Sequence, residues 1–237
     1  MKMEAHRIAK YEVDIFDDFN GKTMISKIDS LLINHPMNHE ILVVPNGVDF
    51  SKFSYSTTEK THDIIFSGNM NYAPNVDAAI YLCKEILPQL KKIHPEIKIM
   101  IAGANPAAKV RALQNNNVTV TGWVPSMTEC YAKSRIFVAP MRLGTGLQNK
   151  LLEAMSMNLP CVTSPLAAKP LNPATNDVIQ CYTTLQYVEA IHKLLTNEAF
   201  YNEVSVNGNN FVHNKYDWSK ATDILEKSME SILNKRY

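Results

Sequence analysis

One segment of the sequence carries the residue types of an anion-binding site. It runs from Pro140 to Met155 and places Gly144 and Gly146 between a predicted strand and a predicted helix. Glycines let a ligand approach the backbone closely, and the free N–H groups at the start of a helix attract anions. Lys150 falls in the first turn of this helix, and Glu153 lies three residues later on the same face. A cation for phosphate and a carboxylate for sugar hydroxyls could therefore serve one nucleotide ligand.

The same spacing also fits a plainer interpretation, in which a glycine-rich loop enters a helix whose surface carries a Lys–Glu pair. The segment is not a P-loop, because it lacks the GxxxxGK[ST] pattern. Arg142, in the same loop, could pair with phosphate or could be a solvated loop charge. The residues alone leave these alternatives open.

Two further loops follow predicted strands and could contact a ligand. Gly68 and Asn69 lie between a strand and a helix, and Gly122, Trp123 and Val124 follow a later strand. The Trp123 ring could stack on a nucleotide base or fill the core. Each loop could equally be a simple connection between elements.

These segments lie on a chain that alternates short apolar strands with helices. Strands are predicted at 63–66, 97–102, 118–121, 136–139, 161–163 and 178–181, and helices at 75–94, 107–114, 127–133, 147–157 and 184–195. This alternation predicts an α/β fold with a doubly wound parallel sheet. Such sheets bind ligands beyond the carboxyl ends of their strands, where the loops above lie. Pro88 is expected to kink or divide the longest helix.

The two ends of the chain have patterns of their own. Apolar residues that repeat every three to four positions predict a helix over 3–17, and strands at 23–26 and 41–44 flank a short helix at 27–33. Two helices, near 197–214 and 219–235, close the chain.

The composition excludes some classes of function. Of the 237 residues, 46% are apolar and 20% are charged, and the net charge is +1, so nothing favours a nucleic-acid partner. The seven histidines are scattered and the four cysteines lie far apart, so we predict no metal site and buried, reduced thiols. No apolar run reaches the ~18–20 residues of a membrane-spanning helix, and the N-terminus is too charged for a signal peptide. We therefore predict a cytoplasmic protein, with peripheral membrane contact left open.

Taken together, these segments resemble the family-4 retaining glycosyltransferases, whose GT-B fold has two Rossmann-like domains. The resemblance covers about residues 41–220. Residues 43–49 resemble the link between the domains, 118–125 the loop that meets the nucleotide base, and 150–164 the donor-site helix with its following strand. The run Gly-x-Gln-Asn-Lys-x-Leu-Glu-Ala-Met at 146–155 resembles a subgroup of exopolysaccharide-type sugar transferases.

The resemblance implies a reaction and a binding site. The reaction is transfer of a sugar, with retention and without a metal, from a nucleotide diphosphate sugar to a saccharide or lipid-linked acceptor. No catalytic residue is predicted. The implied donor-binding residues are Gly68, Asn69, Gly122, Trp123, Val124, Arg142, Gly144, Thr145, Gly146, Leu147, Gln148, Lys150 and Glu153.

The sequence departs from the family pattern at two places in this site. The family carries two glutamates separated by seven residues; Glu153 matches the second, which holds the ribose, but Thr145 stands at the first. The transferred sugar is therefore expected to be held by backbone groups of 144–147. The loop 68–72 also lacks the Arg and Lys of many members, so phosphate binding is expected to depend on Lys150, the helix N-terminus and Arg142.

The resemblance divides the chain into three parts. Residues 1–46 are interpreted as the remnant of an acceptor domain, 47–218 as the donor-binding domain, and 219–237 as a helix that packs back toward the N-terminal part. We interpret the chain as a truncated form. Two alternatives stay open: a nucleotide-binding fragment without activity, and a GT-B nucleotide-sugar 2-epimerase.

Overall fold

The computed structural model describes residues 2–144 and 146–234. Contacts divide the chain into two compact units, of which Val48–Lys215 is one. The described residues before and after it form the other. Its elements are α1 (Lys2–Asp14), a 3-10 turn (Phe16–Asp18), β1 (Thr23–Met24), α2 (Lys27–Ser30), a 3-10 turn (Asn38–Glu40), β2 (Leu42–Val43) and the last helix, Trp218–Asn234.

The smaller unit has a small core of its own. Strands β1 and β2 pair in parallel, and Phe16, Ile33 and Ile41 are buried together beside them. The predicted N-terminal helix is present as α1, but Ile8 and Tyr11 on it are at least half exposed. The apolar repeat therefore predicted the helix correctly. Within this unit, however, these two apolar side chains of the helix are not buried.

The larger unit carries the alternation predicted from the sequence. Its strands are β3 (His62–Ser67), β4 (Ile99–Ala102), β5 (Val118–Val120), β6 (Ser134–Ala139), β7 (Cys161–Thr163) and β8 (Ile179–Gln180). Its helices are α3 (Ala73–Tyr81), α4 (Leu87–Leu90), α5 (Ala108–Arg111), α6 (Met127–Ala132), α7 (Asn149–Ser156), α8 (Pro165–Ala168), α9 (Thr184–Thr196) and α10 (Glu198–Lys215). The last helix of the chain is α11.

The six strands form one parallel sheet in the order β5-β4-β3-β6-β7-β8. This confirms the predicted doubly wound parallel sheet. The central strands contain buried apolar runs at 64–66, 99–102 and 136–139, as a sheet covered by helices on both faces requires. The chain leaves β3 first to one side and then returns to the other, so the order reverses between β3 and β6. Ligands of such sheets bind at this reversal, beyond the carboxyl ends of the strands.

Two details of the helices go beyond the prediction. The long helix is interrupted by a π-helical turn at Leu82–Ile86 that comes shortly before Pro88, because a proline lacks the N–H that a regular helix needs. The short α8 was not predicted. It begins at Pro165 and is capped by the Ser164 hydroxyl, which accepts a hydrogen bond from the Ala167 N–H.

The expected state of the cysteines is confirmed. All four are buried free thiols, and burial raises the pKa of Cys83 and of Cys181 to about 12. Within residues 2–144 and 146–234, no helix is long and apolar enough to cross a membrane.

Candidate functional site

Three loops meet at the carboxyl ends of β3, β4 and β5. Their backbones are bonded to one another: Gly68 N–H donates to the Ala102 carbonyl at 3.0 Å, and Met70 N–H donates to the Ala104 carbonyl at 2.8 Å. Gly103 N–H donates to the Gly122 carbonyl at 3.2 Å. The loops therefore form one hydrogen-bonded edge rather than three separate connections.

A close backbone contact between two of these loops requires glycine. Gly68 has φ +153° and Gly103 has φ +136°, a conformation that other residues rarely adopt. A Cβ added at Gly103 would lie 1.9 Å from the Gly68 carbonyl oxygen, well inside contact distance. The missing side chain of Gly103 thus allows the first two loops to lie against each other, whereas a Cβ added at Gly68 would meet the Asn75 amide at 2.6 Å.

A cavity of about 350 Å³ opens at this edge. It lies at the point where the strand order reverses, where a doubly wound sheet binds its ligands. Its walls come from the three loops and from helices α6 and α7. The lining residues are Ser67, Gly68, Asn69, Gly103, Ala104, Trp123, Val124, Met127, Tyr131, Lys150 and Glu153.

Lys150 is anchored in this cavity by a neighbouring amide. Its Nζ donates to Asn75 Oδ1 at 2.5 Å, while the Asn75 side chain donates to the Asn69 carbonyl at 3.0 Å. Nζ also lies 5.0 Å from the centre of the Phe66 ring. Burial lowers the pKa of Lys150 to about 8, and the carboxylate of Glu153 partly opposes that change. The ammonium group therefore has little solvation to lose when an anion binds.

Glu153 is held by a chain of two hydroxyl groups. The Tyr131 hydroxyl donates to Glu153 Oε2 at 2.9 Å, and the Ser67 hydroxyl lies 2.8 Å from the Tyr131 oxygen. Burial raises the pKa of Glu153, whereas the Tyr131 hydrogen bond and the charges of Lys52 and Lys150 lower it. At a pH between the pKa of Glu153 and that of Lys150, the cavity holds one anion and one cation. The carboxylate can accept hydrogen bonds from hydroxyl groups, and the ammonium group can bind phosphate.

The predicted residues therefore divide into two groups. Gly68, Asn69, Trp123, Val124, Lys150 and Glu153 line the cavity together. Gly122 instead joins two of the loops through its carbonyl. Of the segment 142–148, none of the residues that the structure describes is part of the cavity wall, and Thr145 lies outside the described residues.

The described residues of the loop 142–148 are attached to α3. Arg142 binds both oxygens of Asp77, with Nη2–Oδ1 at 2.6 Å and Nε–Oδ2 at 3.0 Å, and its guanidinium lies 4.5 Å from the centre of the Tyr81 ring. A Cβ added at Gly144 would contact Pro74 at 3.4 Å.

The end of this loop leads into α7. Gln148 precedes the helix, and its side chain donates to the Gly146 carbonyl at 3.3 Å. Leu147 lies next to it, partly buried. The loop is thus held by contacts within itself and with α3, outside the cavity wall.

Sequence reasoning missed residues that line or support the cavity. Tyr131 and Met127 on α6 lie four positions apart, a spacing that places both on one helical face. That spacing was the available signal, but it is shared by any helix with a buried face. Asn75 carried no signal, because its role depends on a lysine 75 positions away.

Another cavity, of about 570 Å³, is lined in part by Lys60, Arg135 and Tyr201. Lys60 precedes β3 and Arg135 lies near the start of β6, so this cavity is at the amino ends of the strands. A doubly wound sheet does not bind its ligand at that end, so we do not assign the site there. Among the described residues, no group of three or more His, Cys, Asp or Glu side chains could hold a metal ion.

Comparison with known proteins identifies the family. Residues 61–197 match the family described as Glycosyl transferases group 1. The chain belongs to this family. The matched range contains the whole cavity wall, from Ser67 to Glu153.

Similar proteins include a sequence relative and several solved structures. The chain is 24% identical over 177 residues to an uncharacterized 44.6 kDa protein in the cps region of Klebsiella pneumoniae, covering 70% of this chain and 45% of that protein. The fold is similar to that of TarM from S. aureus, with a TM-score of 0.74 and 18% identity over 94% of this chain and 45% of TarM. It is also similar to Anabaena HepE in complex with UDP and glucose, with a TM-score of 0.79 and 11% identity over 94% of this chain and 66% of HepE. The chain thus spans less than half the length of the Klebsiella relative and of TarM.

Proposed function

We propose that the larger unit binds the nucleoside diphosphate part of a nucleotide sugar in the cavity beyond β3, β4 and β5. One observation carries the proposal: Lys150 and Glu153 line a single cavity at the reversal of the strand order. HepE, whose fold is similar, was solved with UDP and glucose, which favours uridine as the nucleoside.

Each part of such a ligand has suitable groups in the cavity. Lys150, together with the positive end of the α7 helix dipole, would bind the diphosphate. The Glu153 carboxylate would accept hydrogen bonds from the ribose hydroxyls. Trp123, whose side chain is exposed at the cavity, would cover the base. The sugar would lie near the backbone of 144–147, as the sequence predicts.

Arg142 remains a predicted phosphate ligand, but it would have to give up an existing ion pair to bind phosphate. Its bidentate pair with Asp77 would have to be exchanged for a contact with phosphate. We therefore expect Lys150 to contribute more to diphosphate binding than Arg142.

For the whole protein we propose transfer of the sugar, with retention and without a metal, to a saccharide or lipid-linked acceptor. When the bond between sugar and phosphate breaks, negative charge develops on the leaving diphosphate. A half-buried cation that is already in position stabilises that charge with little reorganisation of solvent, which is the role we give Lys150. No residue of the chain is assigned as a base, and no acceptor site is assigned.

The test is calorimetric titration of the full chain with UDP, GDP and ADP in the presence of EDTA. We expect one of the three to bind, and UDP in particular. Absence of binding for all three would overturn the proposed donor site. Binding that appears only after a divalent metal is added would overturn the metal independence alone.

Two substitutions test the assignment of the site. Lys150→Ala and Glu153→Ala should each weaken nucleotide binding by roughly 10- to 100-fold, because each removes a charge-assisted hydrogen bond worth about 1.5–3 kcal/mol. Lys84→Ala and Glu189→Ala, which change exposed residues outside the cavity wall, are the matched controls. Equal affinities in all four variants would exclude this cavity as the site.

A further inference from the structure

Tyr131 is fully buried, yet it is part of the wall of the cavity that we assign to the nucleotide, and its hydroxyl bonds to Glu153 in the same wall. Its ring packs edge-on against Phe53 and Phe137, with ring centres 6.2 Å and 6.0 Å away. A ring packed in this way has one orientation available, so its hydroxyl has a fixed position. A fixed hydroxyl is a suitable anchor for a side chain that must meet a ligand with defined geometry.

The hydrogen-bond direction in this group follows from counting protons. The phenol has one proton, and it donates that proton to Glu153 Oε2. The Tyr131 oxygen can then only accept from Ser67, whose hydroxyl is 2.8 Å away. Ser67 is itself buried at the end of β3. The proton of each hydroxyl is thereby assigned, and the carboxylate keeps Oε1 for another donor.

We infer that Tyr131 is a positioning residue, which holds the Glu153 carboxylate by Oε2 so that Oε1 accepts from the ribose hydroxyls of the bound nucleotide. This inference rests on the proposed function. Without the tyrosine hydroxyl, the carboxylate could rotate about its terminal torsion, and binding a ribose would have to restrict that motion. Positioning of this kind contributes to affinity by reducing the entropy lost on binding.

The charged groups around Glu153 lower the pKa of its carboxyl, as the hydrogen bond from the Tyr131 hydroxyl does. Lys150 on the same helix and Lys52 from the segment before β3 both lower the pKa of the carboxyl, against the effect of burial. Removing the Tyr131 hydroxyl takes away one of these three stabilising contacts. The pKa of Glu153 should then rise, and nucleotide affinity should begin to fall at a higher pH as the solution is acidified.

The test compares the affinity of the full chain for a nucleoside diphosphate and for the same diphosphate without its 2′ and 3′ hydroxyls. The nucleotide is whichever of UDP, GDP and ADP binds most tightly. We expect Tyr131→Phe to weaken binding of the normal nucleotide about 5- to 10-fold and to leave binding of the dideoxy form unchanged. We also expect the double variant Tyr131→Phe, Glu153→Gln to bind no more weakly than Glu153→Gln alone.

Controls separate positioning from a loss of folding. Tyr201→Phe removes the hydroxyl of another tyrosine, one that donates to the Arg135 carbonyl, and should leave affinity unchanged. If Tyr131→Phe does not fold, Ser67→Ala replaces it, with the same expected dependence on the ribose hydroxyls and a smaller effect.

Two results would overturn the inference while the proposed function stands. One is unchanged affinity in Tyr131→Phe, and the other is an equal loss of affinity for the normal and dideoxy nucleotides. If the wild-type chain binds none of the three nucleotides, the proposed function fails and this inference fails with it.

Discussion

Lys150 is a lysine whose charge depends on pH in the range where enzymes work. Burial lowers its pKa to about 8, and its Nζ is held by Asn75. Its place in the first turn of a predicted helix made phosphate a possible ligand, and the family resemblance implied that role. Its low pKa could not be predicted, since it follows from how the start of α3 and the end of β3 enclose the ammonium group.

The low pKa predicts how nucleotide affinity varies with pH. A diphosphate binds the protonated lysine, so affinity should be highest below pH 8 and should fall as the pH rises through about 8. Between pH 7.5 and pH 9.5 we expect a loss on the order of 10-fold, because the phosphates stay ionised over that range. Isothermal titration at several pH values measures it.

Lys150→Gln is the control for this dependence. It removes the titrating group, so affinity should be lower at about pH 7.5 and nearly constant up to about pH 9.5. If the wild-type profile is equally flat, the lysine does not bind the phosphates.

At the scale of elements, the site depends on how closely two loops approach. Strands β3 and β4 end side by side, and their loops contact each other where Gly103 has no side chain and meets the Gly68 carbonyl. In the sequence, a glycine follows the end of each of these predicted strands. The sequence could not indicate that the two residues contact each other, because they lie on different strands.

This contact predicts a difference between two glycine substitutions. In Gly103→Ala the new Cβ would overlap the Gly68 carbonyl and force an unfavourable φ, which we expect to cost more than about 3 kcal/mol. In Gly122→Ala no atom lies within 4 Å of the new Cβ, and φ is +68°, so the cost should be only about 1–2 kcal/mol.

Thermal denaturation of the two variants measures the difference. A loss of about 1 kcal/mol lowers the melting temperature of a domain of this size by roughly 2–4 °C. Gly103→Ala should therefore melt at least about 6 °C below the wild type, and Gly122→Ala closer to it. Equal melting temperatures would show that the loops separate easily.

At the scale of the whole molecule, the order of the strands decides where a ligand can bind. Strands β3 and β6 lie side by side, with Ile64 opposite Ile136, although β4 and β5 come between them in the sequence. This pairing creates the reversal of strand order at which the cavity opens. The unit Val48–Lys215 contains the whole cavity wall. A ligand of this cavity should therefore stabilise that unit against unfolding.

A measurement of this stabilisation can identify which nucleotide binds. At a concentration about 100 times its dissociation constant, a ligand of the folded state adds about 2.7 kcal/mol, which corresponds to a rise of roughly 5–10 °C in melting temperature. We expect one of UDP, GDP and ADP to give this rise and Lys150→Ala, at the same ligand concentration, to reduce it by about half or more. A rise that is undiminished in Lys150→Ala would indicate a nucleotide site elsewhere.

The sequence by itself determined the alternation of strands and helices and the parallel sheet, and it singled out the loops at the strand ends. Six of the thirteen residues that the family resemblance implied line the cavity. The sequence could do so because strand ends, glycines and helix starts are local signals, and parallel strands bring their carboxyl ends to one edge. The tertiary structure decided which side chains support them. Tyr131 meets Glu153 across 22 positions and Ser67 across 64, and Arg142 meets Asp77 across 65. Contacts between residues so far apart depend on how the elements pack, which no local pattern specifies.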